Sequence, residues 1–294
     1  TGEPLAYGEG EYPRSPFPAT LLTPVWPSRQ IGLNQKGAQD FDIAQNTARV
    51  LLDEDVYSSG KLGLCGHAPA PEMAACLGMA EDARKTLRLF AQRYQVFPNG
   101  LWHFADIRAH QQWRETARPS LLDAQRTQWE EVHEKDRGER ASIASEWFLH
   151  SYFEASANLF CGIQQTLLQS TGGVIRVFPA EAGEAAFRLH AEGGFTVSAE
   201  RGAEGTRIVV MESARGGACR LYNPWPGEPL CCDAPFTLNG DLVEISCAPG
   251  GRYVLYPASA PPDTYYVNDF AQASAAPSEP TGAARIGIKA HFVD

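Results

Sequence analysis

No apolar run in the sequence approaches the roughly 20 residues that a membrane-spanning helix requires. There is no CxxC pair, so the ligand spacing of a structural zinc site is missing. Clustered Lys and Arg are missing too. The 25 basic residues are outnumbered by 35 acidic ones, for a formal net charge of -10. Binding a phosphate backbone needs concentrated positive charge, so a nucleic-acid partner is not expected. The glycine pairs in "STGGV" and "AEGGF" lack the Lys and Ser/Thr of a phosphate-binding loop and read as turns. Cysteine is present but unpatterned. Cys65, Cys76, Cys161, Cys219, Cys231, Cys232 and Cys247 are odd in number and irregular in spacing, which argues against a disulfide framework. One bridge among Cys219, Cys231, Cys232 and Cys247 stays open. A Cys nucleophile has no support, because no depressed-pKa context or partner His can be named. Neither a metal nor an organic cofactor is implied.

Charged residues make up 20% of the 294 positions and hydrophobic ones 44%, enough for a substantial core in one large domain or two ordinary ones. The chain opens on Thr1 without a signal-peptide pattern, as expected of a processed end or of a piece of a longer chain.

The first half has helical periodicity. After a Pro- and Gly-rich lead-in over residues 1–33, Phe41, Ala44, Ala48, Leu51 and Leu52 recur at helical spacing. "PEMAACLGM" reads as a short apolar helix. In "AEDARKTLRLFAQRYQ" the stripe is Ala83, Leu87, Phe90, Ala91 and Tyr94. Glu81 and Asp82 occupy its first turn, where acids suit the helix dipole. Residues 103–145 are strongly polar, and "PSLLDAQRTQWEEV" within them predicts a helix with Ser120 and Asp123 as a capping box. "NLFCGIQQTLLQS" predicts a buried helix with Phe160, Ile163, Leu167 and Leu168 facing inward.

Beyond Gly172 and Gly173 the period changes from about 3.6 to 2. Phe195, Val197 and Ala199 alternate with Thr196, Ser198 and Glu200, as in a sheet with one wet face. Seven short segments, from "GVIRVFP" to "RYVLYP", predict an antiparallel sandwich. The expected class is α+β and multidomain. A partial α/α toroid of the six-hairpin glycosidase kind spans residues 1–170, and an antiparallel β-sandwich spans 171–257. Residues 258–294 form a linker-like tail, in which "ARIGIKAHFV" could add a final strand.

Specific residues then carry a resemblance. "ANLFCGIQQTLLQSTGGVIRVFPA", "LHAEGGFTVSAE" and "ARGGACRLYNP" resemble the C-terminal part of glycoside hydrolase family 95, the α-L-fucosidase and α-L-galactosidase family with an (α/α)6 barrel. Leu167 to Ser170, Phe178 to Ala180, Gly193 to Phe195 and Gly216 to Leu221 fit the family's segments in order. Earlier, "LLTPVWPSRQIGL" and "GHAPAPEMAACLGMAEDA" are similar to two more, so the match runs over most of residues 15–257. The family carries a Phe-Gln-Ile-Asp-Gly-Asn-Phe-Gly motif before the matching helix, and its Asp is the base of an inverting mechanism. Here "SYFEASAN" stands there, and Glu154 falls on that Asp. Ala155 and Ser156 replace the Gly-Asn, and His67 stands where the family has Trp. The family's acid Glu and base-orienting Asn residues belong to upstream helices that this sequence does not contain.

The resemblance implies hydrolysis of an α-glycoside, with Glu154 activating water. An inverting enzyme holds its two carboxyl groups about 6.5–9.5 Å apart to admit that water. The plainer reading of Glu154 is a helix-start acid near backbone N–H groups. Asp106 is the candidate second carboxylate. Trp102 offers a platform for the apolar face of a sugar ring. His103, His67, Tyr152 and His150 are candidate substrate-binding residues around it, and His103 could also serve in acid–base work. The expected partner is an oligosaccharide or polysaccharide, which places the protein in the extracellular or periplasmic space. A half-toroid also leaves an apolar helical face uncovered, so another polypeptide or a missing N-terminal part is expected to complete the barrel. Two other readings stand beside this one. One is a non-catalytic glycan-binding or assembly subunit derived from a glycosidase. The other is a polysaccharide lyase using Tyr152, His150 and His103.

Overall fold

The computed structural model describes residues 21–52, 69–93, 102–103 and 151–261. Helices come first and antiparallel sheets follow. The helices are α1 (Gln39–Leu51), α2 (Ala70–Cys76), α3 (Ala80–Arg93) and α4 (Phe153–Leu167). α2 lies at the centre of this layer and packs against both α3 and α4. All seven of its residues are buried. Such a helix cannot be amphipathic; it must be small and mostly apolar, and "APEMAAC" is both. Pro71 lies in its first turn, where a missing N–H costs nothing. Gly78 ends it at φ 69°. The Gly78 N–H donates to the Ala75 carbonyl (3.0 Å) and the Met79 N–H to the Ala74 carbonyl (2.9 Å), the paired bonds of a Schellman cap.

Gly162 of α4 permits a close approach to α2 and α3. A Cβ built there would lie 2.7 Å from Pro71 Cβ and 3.1 Å from Leu87 Cδ2. The α1 stripe is buried as the spacing predicts: Phe41, Ala44, Ala48, Leu51 and Leu52 join Leu22, Val25, Ala83 and Phe90 in one core.

α4 runs directly into β3 (Leu168–Gln169), which turns through Gly172 and Gly173 and pairs with β4 (Arg176–Val177). The returning chain caps the helix. The Phe178 N–H donates to the Leu167 carbonyl (2.7 Å) and the Ala180 N–H to the Thr166 carbonyl (3.3 Å). The Gln169 side-chain Nε2 donates to the Ala75 carbonyl and the Gln165 carbonyl, each at 2.9 Å, and so ties α2 to α4. Across this junction the two cores interlock. Leu168 belongs to the sheet core and Ala180 to the helical one. Arg84 on α3 also pairs with Glu181. Burial works to raise the Glu181 carboxyl, but the Gly183 N–H at 2.7 Å and Arg84 outweigh it and hold it below its ordinary value.

The sheets face each other. One is five-stranded, in the order β5 (Ala185–Ala191), β6 (Phe195–Gly202), β7 (Gly205–Ser213), β12 (Gly251–Pro257), β9 (Leu230–Cys232). The other is three-stranded, in the order β10 (Thr237–Asn239), β11 (Leu242–Cys247), β8 (Gly217–Tyr222). Val197, Ala199, Met211 and Leu255 from the first meet Cys219, Leu221, Val243 and Ile245 from the second. Each of the Val, Leu, Ile and Met side chains stabilises the fold by about 1.5–3 kcal/mol when fully buried. Ile175 extends the smaller sheet by a parallel bridge to Leu221. This antiparallel, sandwich-like arrangement agrees with the period-2 reading.

Several expectations need correction. Phe160 and Ile163 do not face inward: they are 68% and 40% exposed, while Ser156, Gln165 and Thr166 of the same helix are buried. The polar side of α4 is the one used, because Gln165 and Gln169 have backbone and thiol partners inside. The second face of the larger sheet is not uniformly wet either. Ser198 is buried, and Ile208, Val210 and Val254 form a small apolar cluster of their own. Cys219, Cys231, Cys232 and Cys247 are all free thiols, so the disulfide left open among them does not form. The described residues hold four α-helices, too few to decide the partial toroid expected from the sequence. The helix predicted in "PSLLDAQRTQWEEV", Tyr94 and the strand in "ARIGIKAHFV" lie outside the described residues.

The Gly162 approach yields a direct test. Gly162→Val gains only roughly 0.3–0.5 kcal/mol of helix propensity, whereas overpacking against the rigid Pro71 ring costs about 1–3 kcal/mol. The urea midpoint should therefore fall at unchanged slope. An unchanged midpoint would refute the close packing of α2 on α4.

Candidate active site

The candidate site is built where α4 begins. β2 (Ser151–Tyr152) leads into this helix without a break, and β1 (Trp102–His103) pairs with β2 in antiparallel register. Trp102 stands opposite Tyr152, and His103 opposite Ser151. Glu154 is the second residue of α4, two positions after Tyr152. Four residues singled out in the sequence, namely Trp102, His103, Tyr152 and Glu154, are thus brought together along the backbone, although some fifty positions of chain separate the two strands. β1 also touches α4. The first turn of a helix carries unsatisfied N–H groups and a partial positive charge, which favour a carboxylate at Glu154. Asp106, His67 and His150 lie outside the described residues.

On α2, which packs against α4, the structure holds a group that periodicity did not point to. Glu72 of α2 has no solvent exposure, and neither carboxylate oxygen has a hydrogen-bond partner among the described residues. Ser156 Oγ, on α4, is also buried and has no partner among the described residues. Burial pushes the Glu72 carboxyl up to about 8, and its own backbone N–H offsets only part of this. Stripping water from a carboxylate without supplying a counter-charge favours the neutral acid, so Glu72 is protonated at neutral pH. Its clue in the sequence was a single charge inside the apolar run "APEMAACLGM". An acid there must either pair or stay neutral, and periodicity alone does not raise that question.

The thiols around Glu72 are not nucleophiles. Burial pushes Cys76 up to about 12, with Arg29 lowering it and Glu72 raising it further. Cys161 is raised by burial first and then by Glu72. Cys76 Sγ lies 3.8 Å from Gln165 Oε1, a weak contact for a neutral thiol. Arg29 takes the left-handed conformation at φ 53°. Its guanidinium lies over the Trp26 ring at 4.8 Å and 3.6 Å from Glu192, which holds the cation at the edge of this region. Among the described residues no group of three or more His, Cys, Asp and Glu is placed to hold a metal ion.

Glu72 makes stability depend on pH with a defined sign. Its folded value lies above the ordinary 4.5, so between pH 4.5 and about 8 the unfolded chain binds fewer protons than the folded one. The contribution of Glu72 is full below pH 4.5 and falls as pH rises, by up to about 1.4 kcal/mol per pH unit, until the folded group has ionised. Glu72→Gln keeps the shape without the charge. The urea midpoint of the wild type, measured against that of the variant, should decline between pH 5 and 8. Parallel curves for the two proteins would show that Glu72 is solvated or paired.

No family model matches the chain, and no curated protein does. Among solved structures it is similar to a GH127 beta-L-arabinofuranosidase from Geobacillus stearothermophilus T6, at 11% identity and a TM-score of 0.27. That similarity covers 86% of this chain and 56% of the other, so the chain spans little more than half the length of that protein. A likeness this slight assigns neither a family nor an activity.

Proposed function

We propose that this chain is a carbohydrate-active protein, part of an inverting glycoside hydrolase of the α-L-fucosidase or α-L-galactosidase type, with Glu154 as the general base. The observation that carries the reading is the strand pair running into α4: Trp102 stands opposite Tyr152, with Glu154 two residues further on. A sugar site needs an aromatic surface for the ring and a carboxylate for the attacking water, and these residue types meet here. The ordered resemblance of the flanking segments to family 95, and a helical layer followed by a sandwich, support the same choice. In this reading the helices belong to a larger α/α toroid. The proton for the leaving group comes from Asp106 or from another part of the complete barrel.

A second reading rests on α4. Phe160 and Ile163 lie one turn apart on the helix, and both are exposed. Large apolar groups on one helical face mark a surface that another polypeptide covers. The chain would then act as an assembly or glycan-binding subunit and perform no chemistry of its own.

Hydrolysis of aryl α-L-fucosides and α-L-galactosides by the chain and by Glu154→Gln separates the readings. A general base contributes typically 10²–10⁴-fold, and the variant should lose roughly that much. Equal rates for the two proteins would remove Glu154 from the mechanism. Glycan binding without turnover in either would select the subunit.

A further inference from the structure

A basin of about 540 Å³ lies where the turn after Leu33, the β4 segment and the ends of β6, β7 and β8 converge. Three cations line it: Lys36, Arg176 and Arg201. No Asp or Glu does, in a chain whose net charge is -10. None of the three has a carboxylate partner among the described ion pairs. The Arg176 guanidinium donates to Asn34 Oδ1 and lies over the Tyr222 ring at 4.7 Å. Burial pulls it down from its ordinary value, with Tyr222 acting in the opposite sense. Arg201 Nε is shielded from solvent and has no acceptor among the described residues. Such a donor is rare in a folded protein, and its presence asks what would accept from it.

The backbone aims Arg201. The β6–β7 register slips between Glu200 and Arg201, so that Arg201 stands opposite Thr206 and Arg207 is the extra residue. Bulges of this kind redirect a side chain and cluster beside binding sites. Arg207 is already paired with Glu200 at 2.8 Å. Arg201 also borders a neighbouring depression that holds Glu184, Glu204 and Glu228, yet it pairs with none of them. Tyr222 is anchored from behind by its hydroxyl, which donates to Asp241 at 3.1 Å. The opposite wall is fixed by Phe178, held at φ 51° with its ring edge-on to Phe187 at 5.1 Å. A non-glycine residue kept in that region is a strained feature that its surroundings must enforce. Pro179, Pro224 and Pro226 complete an apolar rim.

We propose that this basin binds an anionic sugar residue of a glycan, either a uronate or a sulfated hexose. Two guanidinium groups match an oxyanion, and the ring and proline walls suit the apolar face of a pyranose. The volume lies in the range of small-molecule sites. The inference rests on the carbohydrate reading above and adds to it the charge of the ligand.

The test is calorimetric titration of the full chain with trigalacturonate and with its fully methyl-esterified, uncharged form. Galactose 6-sulfate and galactose make the second pair. One charged ligand should bind roughly tenfold or more tightly than its neutral counterpart. Arg201→Gln and Arg176→Gln should each remove that preference while the far-ultraviolet circular dichroism is unchanged. Whichever pair responds identifies the oxyanion as carboxylate or sulfate. Equal affinity for charged and neutral forms would overturn the proposal, as would a preference untouched in both variants. Binding of inorganic sulfate with neither sugar retained would overturn it as well. A chain that holds trigalacturonate through Arg201 but hydrolyses no glycoside leaves this inference standing and defeats only the catalytic role of Glu154.

Discussion

The Gln169 carboxamide is the fastening on which the arrangement of the chain depends. One side-chain amide nitrogen donates to carbonyls on two helices, Ala75 on α2 and Gln165 on α4. It does so from the first strand beyond the helical layer. These are buried bonds, and losing the donor would cut the side-chain link between the two helices, although the Ala75 carbonyl keeps its bond from the Gly78 N–H. The same few residues cap α4, start the sheet core through Leu168 and close the helical core through Ala180. The helical and sheet parts are therefore joined by interleaved cores and not by a flexible tether.

That junction also explains why α4 presents the wrong residues to a reader of periodicity. Gln165 and Gln169 are drawn inward by backbone acceptors and a thiol, and Gly162 is drawn in by the need to clear Pro71. With small and polar residues committed to the packed side, Phe160 and Ile163 are left outside. The first turn of the helix follows directly from β2, so the backbone of Glu154 belongs to the same element that packs against α2, the helix that carries the buried Glu72. A desolvated carboxyl is an unfavourable thing to keep in a core, and proteins concentrate such groups at sites of function.

How far the sequence could be read depended on which force decided each element. Where burial against a single core decides, alternation and helical stripes suffice. Phe41, Ala44 and Ala48 are in place, and so are Phe195, Val197 and Ala199. Where hydrogen bonds between distant segments decide, they do not. Nothing local shows that Gln169 will reach Ala75, 94 positions away, or that Trp102 will stand opposite Tyr152. For the candidate site, the strand register sets Trp102 opposite Tyr152 and leaves the chemical roles of these residues and of Glu154 to experiment. Glu72 and the Arg176–Arg201 basin had no sequence signal beyond an isolated charge in an apolar run and unremarkable arginines. Burial and the slip of register at Arg201 exist only in three dimensions.

The sulfur chemistry of the sandwich carries one last consequence. Cys219 Sγ meets Met211 Sδ at 3.2 Å between the two sheets, and Cys247 is buried in the same core. Cys231 and Cys232 are half-buried on the edge strand β9. Burial keeps Cys219 protonated up to about 12, so an alkylating reagent reaches it only when the sheets part. The domain thus contains its own clock for spontaneous opening, with the edge thiols reporting fraying of β9 and the inner pair reporting separation of the two layers.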